Sequence, residues 1–306
     1  MYILVLKQLL TMALIGLCGF IFAKIFTVTE TERKFLSKLL LYFVNPSMVL
    51  NSFNREFEPE KLALLGIVVI ISLIVHGVMI GLGIISCKHK VDRLAIAFTN
   101  CGFIGIPLIR GVFGDEGVLY LMGYLIIFNI LIWTYGYHQL SGKINLKKVI
   151  TNPNIIAVVL GMVLFCMPFT LPEVIARPLL MISDTNTALC MILVGVLLAD
   201  FHPSSSKELL PRLLKMTALR LVVCALLNIA ILCLVYKLIG SITDSRMVIF
   251  VVLICSMCPV ATSIPGLACL FDHDATYASL SVSATSLLCI LTLPTFVALA
   301  EIVIRM

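Results

Sequence analysis

Asn100, Gly102, Gly105 and Pro107 all fall within NCGFIGIPLIRGVFGDEG (Asn100–Gly117), in a run otherwise apolar enough for a membrane helix. Proline removes a backbone donor and frees the carbonyl one turn back, and glycine permits non-helical φ/ψ. In lipid, freed backbone groups are tolerated only where they are buried in protein or line a watery cavity. Gly102, Gly105 and Pro107 therefore predict a broken helix, and Pro259 and Pro265 in CPVATSIPGLACLF (Cys258–Phe271) predict a second. Two such helices crossing near the bilayer midplane aim half-helix N-termini, with free N–H groups and partial positive charge, at one place. A small carboxylate gains both a dipole and donors there; freed carbonyls can instead hold a cation. The competing explanation, a proline kink in a structural helix, is weaker for a matched pair than for either helix alone.

The polar residues of the apolar runs fill in the chemistry. Asn100 and Asn129 are uncharged donors that can bind a carboxylate without holding a rival charge. Their alternative is interhelical hydrogen bonding, worth about 0.6 kcal/mol on average in a membrane. Asn45 and Ser47, Thr262 and Ser263, and the prolines Pro107 and Pro265 are further candidates for substrate contact. Asp184, with Asn186 close by, is an acid inside an apolar run and a functional candidate by default. It is either a proton or sodium site or a shallow, hydrated group. His76 reads first as a hydrogen-bonded helix contact and second as a proton relay. Arg110 either steers anions or snorkels; Arg220 and Asn228 carry weaker forms of the same claim, and Glu301 is expected to snorkel. The broken runs place no acid at the crossing, which counts against a cation exchanger. A coupling ion, if used, is H+ or Na+, and no cofactor is implied.

The elements that position these residues follow from composition. The chain has 306 residues, 61% hydrophobic and 12% charged, with a mean hydropathy of +1.13; a soluble domain is usually near half apolar and a quarter charged. Apolar runs lie at 3–26, 35–53, 61–86, 93–112, 116–138, 153–171, 174–200, 208–238, 246–270 and 275–304. At roughly 20 residues per crossing these make about ten transmembrane helices in an all-α polytopic membrane protein. The first run is expected to be a retained span and not a cleaved signal peptide. The net charge of +6 comes from basic residues in short loops between runs, the pattern of topology determinants and not of a nucleic-acid surface. Lys24, Arg33, Lys34, Lys38, Lys88, Lys90, Arg93, Lys143, Lys147, Lys148, Lys207, Arg212 and Lys215 share one side. That side is expected to be cytoplasmic, in the cell membrane, leaving both termini extracytoplasmic. The 11 cysteines lie mostly singly in apolar runs, where cysteine packs as a small hydrophobe. Cys255-x-x-Cys258 and Cys87 with His89 lack the second pair that a structural zinc site needs.

The basic link Ser141–Lys148 divides the chain near its middle. IGIPLIRGVFGDEG (Ile104–Gly117) aligns without a gap on TSIPGLACLFDHDA (Thr262–Ala275), matching Ile106-Pro107 to Ile264-Pro265, Phe113 to Phe271 and Glu116 to Asp274. Both segments are the fourth run of their half. Halves of five spans have opposite orientation, which is the inverted-repeat plan of secondary transporters, with repeats over 1–148 and 149–306.

NCGFIGIPLIRGVFG (Asn100–Gly114) resembles the auxin efflux carrier family, whose plant members carry Asn, then G-I-P-L, then a basic residue and an aromatic-Gly at this spacing. FNILIWTY (Phe128–Tyr135) is similar to the family's fifth helix, with Asn129 where plant members have Gln. NPSMVLN (Asn45–Asn51) is similar to its Asn-Pro element, and Pro259 to Phe271 has its Pro-to-aromatic spacing. Pro265 sits one residue later than in plant members, and the proline that bacterial members often have near Thr187 is missing. The resemblance covers all ten spans. It implies two inverted five-helix repeats, with spans 1, 2, 6 and 7 as a scaffold and spans 3–5 and 8–10 as a transport domain. It also implies a homodimer and elevator-like passage of small organic acids such as auxin, malate or malonate. The short link between spans five and six is closer to microbial members, which makes auxin a weaker candidate.

Other classes fit less well. An intramembrane enzyme lacks a Gly-x-Ser-Gly nucleophile turn, and GVFGD (Gly111–Asp115) misplaces the aspartyl-protease glycine by one residue. A membrane ligand sensor or channel on a transporter-like fold remains the alternative.

Overall fold

The computed structural model describes residues 2–144, 146–199, 209–240, 242 and 244–305. Lys207, residues 200 and 208 at the ends of two expected runs, and residue 145 in the central link lie outside the described residues. The chain opens with α1 (Tyr2–Phe26), then α2 (Glu30–Leu39), a π-helical turn at Leu40–Val44 and α3 (Asn45–Phe53). α4 (Pro59–Ser86), α5 (Lys90–Ala97), a second π-turn at Cys101–Gly105 and α6 (Ile106–Leu131) follow. A third π-turn at Ile132–Gly136 leads into α7 (Tyr137–Ser141), α8 (Leu146–Ile150) and α9 (Pro153–Phe165). The remainder is α10 (Glu173–Asp184), α11 (Asn186–Ala199), α12 (Leu210–Ala218), a π-turn at Leu219–Val223, α13 (Cys224–Ile239), α14 (Ser245–Met257), α15 (Ser263–Leu270) and α16 (Ala275–Arg305).

The described residues are all-helical, as expected of a polytopic membrane protein. Among the described residues, six helical stretches are long and apolar enough to cross a bilayer: Tyr2–Phe26, Pro59–Ser86, Cys101–Ser141, Glu173–Ala199, Leu210–Ile239 and Ala275–Ile304. Pro153–Phe165 and Ser245–Met257 are shorter apolar helices. Large side chains such as Leu14, Ile85, Val174 and Leu291 stand outward, 65% to 87% exposed. In water that much exposed apolar surface would be a liability; lipid is its solvent.

Local sequence explains several helix ends. Thr29 and Glu32 form a capping box on α2, each side chain bonded to the other's backbone N–H. Asn152 caps α9 by accepting from the N–H groups of Asn154 and Ile155, with Pro153 in the first turn, where no donor is needed. Gly114 has φ 67 and ψ −161 and splits Cys101–Ser141 where the fourth and fifth runs were separated. α1 packs on α11 at glycines: a Cβ on Gly195 would overlap the Gly16 carbonyl, and one on Gly19 would lie 2.5 Å from the Ile192 carbonyl. Small residues at a membrane helix interface let the backbones approach this closely.

Candidate functional site: the crossing of two opened helices

The run 93–112 does open, at a different place from the one expected. α5 ends at Ala97, Phe98 is extended (φ −111, ψ 128), and helix resumes only after Asn100. Gly102 and Gly105 lie in the π-turn that follows, and Pro107 in the first turn of α6. The physical reason is that the break is made by pairing and not by the proline. The Ile106 N–H reaches back to the Cys101 carbonyl, five residues away, and this widened turn accommodates the Pro107 ring within a continuous helix. Gly105 serves close packing instead, with Cys255 and Cys258 against it. In the second opened run Pro259 lies in the break itself, after α14 ends at Met257. Pro265 sits in the first turn of α15, where its missing N–H breaks nothing.

The two breaks meet. Thr99 and Val260 pair as an antiparallel bridge. The Asn100 N–H donates to the Pro259 carbonyl at 2.7 Å, and the Ala261 N–H to the Phe98 carbonyl at 3.1 Å. The Val260 N–H donates to Thr285 Oγ1 of α16 at 3.1 Å. Backbone groups released by opening the helices are thereby satisfied within the protein, as hydrocarbon surroundings require.

The crossing has two electrically different ends. Helix N-termini start at Asn100 and Thr262 and border a cavity of about 320 Å³ lined by Asn100, Gly102, Phe103, Thr262 and Ser263. Its other walls include Ser37 and Asn45, Phe128, Asn129 and Trp133, and Asn152 and Asn154. No acidic or basic side chain lines it among the described residues. Asn100 Oδ1 accepts from the Phe103 N–H at 3.4 Å and Asn45 Oδ1 accepts from Asn186 Nδ2 at 2.6 Å. The Nδ2 groups of both Asn100 and Asn45 are buried and have no hydrogen-bond partner among the described residues. Asn129 is more committed: its Nδ2 donates to the Leu125 carbonyl at 2.8 Å and its Oδ1 accepts from Asn152 Nδ2 at 3.0 Å.

The structure thus gathers Asn45, Asn100, Gly102, Asn129, Thr262 and Ser263 around one cavity. Ser47, Pro107 and Pro265 are not among its lining residues: the Ser47 hydroxyl donates to the Phe43 carbonyl one turn back, and the prolines lie in the first turns of α6 and α15. His76 is buried behind the crossing, Nδ1 2.8 Å from the Ser72 carbonyl and its ring 4.7 Å from that of Tyr124. Asp184 lies away from the cavity and pairs with Arg110 at 2.7 Å. Arg110 also donates to Asp115 at 3.0 Å and to the Ser183 carbonyl at 2.9 Å, so it neither steers nor snorkels freely. Glu301 does not snorkel: it is buried, accepts from the Tyr2 N–H at 3.0 Å and faces Arg246 at 3.8 Å. Asn152 and Asn154 were missed. The only signal was their place either side of Pro153, which reads as an ordinary helix cap.

A search of curated proteins found no match. A family model described as "Membrane transport protein" matches residues 4–145 and 139–297, nearly the whole chain. Its members are transporters and not enzymes, and they work in a lipid bilayer on a transported solute. With opened helices meeting over an uncharged polar cavity, and with that match, the chain belongs to the membrane transport protein family, that of the auxin efflux carriers.

Proposed function

We propose that this protein is a secondary carrier of small organic anions, mono- or dicarboxylates, which bind in the cavity beside the crossing. The observation that carries this reading is the pairing of two half-helix N-termini with two unspent buried amide donors, Asn100 Nδ2 and Asn45 Nδ2, around a cavity without a carboxylate. Helix N-termini favour negative charge and offer free N–H groups. A buried donor without a partner costs about 1–3 kcal/mol, a cost that a carboxylate acceptor brought within reach relieves. Thr262 and Ser263 add hydroxyls at the second N-terminus. Asn129, held by Asn152, is a wall residue that orients the substrate.

The architecture in this reading has ten crossings in two inverted halves, 1–148 and 149–306. The helices of spans 3–5 and 8–10 move against spans 1, 2, 6 and 7 in an elevator-type cycle within a homodimer. The cavity's far walls come from helix ends next to the basic loops, so this conformation opens to the cytoplasm, with both termini outside.

The test is a thermal-shift screen of purified protein against small carboxylates, amines and neutral solutes, followed by counterflow in liposomes. A ligand at about one hundred times its Kd stabilises the folded state by about 2.7 kcal/mol. Carboxylates are expected to stabilise the protein and to exchange labelled for unlabelled substrate. Stabilisation without exchange would make it a sensor. If amines or neutral solutes alone stabilise it, the anion reading falls.

A further inference from the structure

Arg220 is fully buried in the π-turn between α12 and α13 and has no carboxylate partner among the described residues. Its guanidinium is nonetheless heavily used. Nη1 donates to the Ile96 carbonyl at 2.8 Å and contacts Met79 Sδ at 3.2 Å. Nη2 donates to the carbonyls of Ser256 at 2.6 Å and Cys258 at 2.8 Å, and Nε to that of Cys258 at 3.3 Å. Ile96 belongs to the last turn of α5, and Ser256 and Cys258 to the end of α14. Arg220 therefore ties together the C-terminal ends of both half-helices, on the side of the crossing opposite the N-termini. Carbonyls there carry partial negative charge, and in discontinuous membrane helices such carbonyls and half-helix C-termini hold coupling cations.

We propose that Arg220 is the resident cation of this crossing. Its guanidinium occupies the carbonyl cage that a bound sodium ion would otherwise fill, so carboxylate binding needs no sodium. Arginine suits this role because its planar fork offers five donors and stays charged at any accessible pH. A buried charge without an acid partner is costly; here three carbonyls offset part of that cost, and an anion in the cavity offsets more. Arg220 is thus a positioning residue: it touches the helix ends and not the substrate. For its ligand the inference rests on the carrier reading above; for the cage it does not.

The experiment has two arms. In the first, carboxylate binding and counterflow by the wild-type protein are measured in sodium, potassium and choline buffers. Affinity is expected to stay within about twofold across them. A rise of about tenfold or more in sodium, roughly 1.4 kcal/mol, would overturn the proposal and leave the carrier reading intact. In the second, melting temperature and carboxylate affinity are measured for Arg220→Ala and Arg220→Lys with and without free guanidinium. Arg220→Ala is expected to melt lower and to lose about tenfold or more in affinity, with guanidinium restoring part of both. If Arg220→Ala does not fold, Arg220→Lys carries the arm; three donors in place of five give an intermediate loss. An alanine or lysine variant that binds carboxylate like the wild type would overturn the proposal, as would a loss that guanidinium fails to reverse in either variant. If no carboxylate binds the wild-type protein, the carrier reading fails, and guanidinium rescue of the variants' melting temperature still decides the role of Arg220.

Discussion

Asn100 uses its two amide atoms differently: Oδ1 accepts from the Phe103 N–H at 3.4 Å and caps the helix that follows, while Nδ2 is buried without a partner among the described residues. The two roles separate by substitution. Asn100→Asp keeps the cap acceptor and replaces the donor with a negative charge. Its melting temperature is expected to stay within a few degrees of wild type, while carboxylate affinity falls more than about tenfold. Asn45→Ala, which also strips Asn186 Nδ2 of its acceptor, is expected to cost roughly 10–100-fold in affinity, from about 1.5–3 kcal/mol for a hydrogen bond to a charged group. Calorimetric titration checks both; unchanged affinity in both would remove the anion from this cavity. At this scale the asparagines were legible because an amide in an apolar run is expensive and must have a partner. Ser47 misled because a helical serine can satisfy itself on the carbonyl one turn back, at no cost visible in the sequence. Arg220 was undervalued for the opposite reason. Its partners are carbonyls of Ile96, Ser256 and Cys258, and backbone groups leave no trace in residue types.

The elements show where local signals decide and where they do not. Gly114 was legible as a helix separator, and its conformation (φ 67, ψ −161) is one that essentially only glycine adopts. No atom lies within 4 Å of the position a Cβ would take, so strain in Gly114→Ala arises from the backbone alone. That variant is expected to lose about 1–3 kcal/mol of stability, seen as a lower melting temperature with carboxylate affinity per folded molecule unchanged. An unaltered melting temperature would mean that the two helices can join there without strain. The break at Phe98–Asn100 was not legible in place, although its existence was. Glycine and proline lie downstream of it, and the opening is fixed by hydrogen bonds to Pro259 and from Ala261, about 160 residues away. A non-local partner has no local signature, so Pro107 marked the right helix and the wrong residue, whereas Pro259 marked the break itself.

For the whole molecule, the question is what holds the present conformation. In the proposed architecture the cavity lies on the side of the crossing nearer the basic loops, because Ser37 and Asn152 line it. On the other side, Arg110 of α6 binds Asp184 at 2.7 Å and the Ser183 carbonyl at 2.9 Å, both at the end of α10. In the proposed architecture α6 rides with the moving helices and α10 with the stationary ones, so this cluster must part whenever the cavity opens the other way. In that architecture Asp184, paired with Arg110, is one half of a latch on the side away from the cavity. Asp184 is 60% exposed, so the pair is worth at most about 0.2–1 kcal/mol. Arg110→Ala should therefore shift the balance of conformations by up to about fivefold, enough to detect without freezing the carrier. In a background without the 11 native cysteines, a cysteine at Thr262 reports the change through a membrane-impermeant thiol reagent. Labelling from the basic-loop side should fall in Arg110→Ala and labelling from the opposite side should rise. The exchanged pair, Arg110→Asp with Asp184→Arg, should return both toward wild type. Labelling that stays the same on both sides in Arg110→Ala would leave the cluster as surface pairing and place the restraint in the apolar seam between α1, α11 and α6.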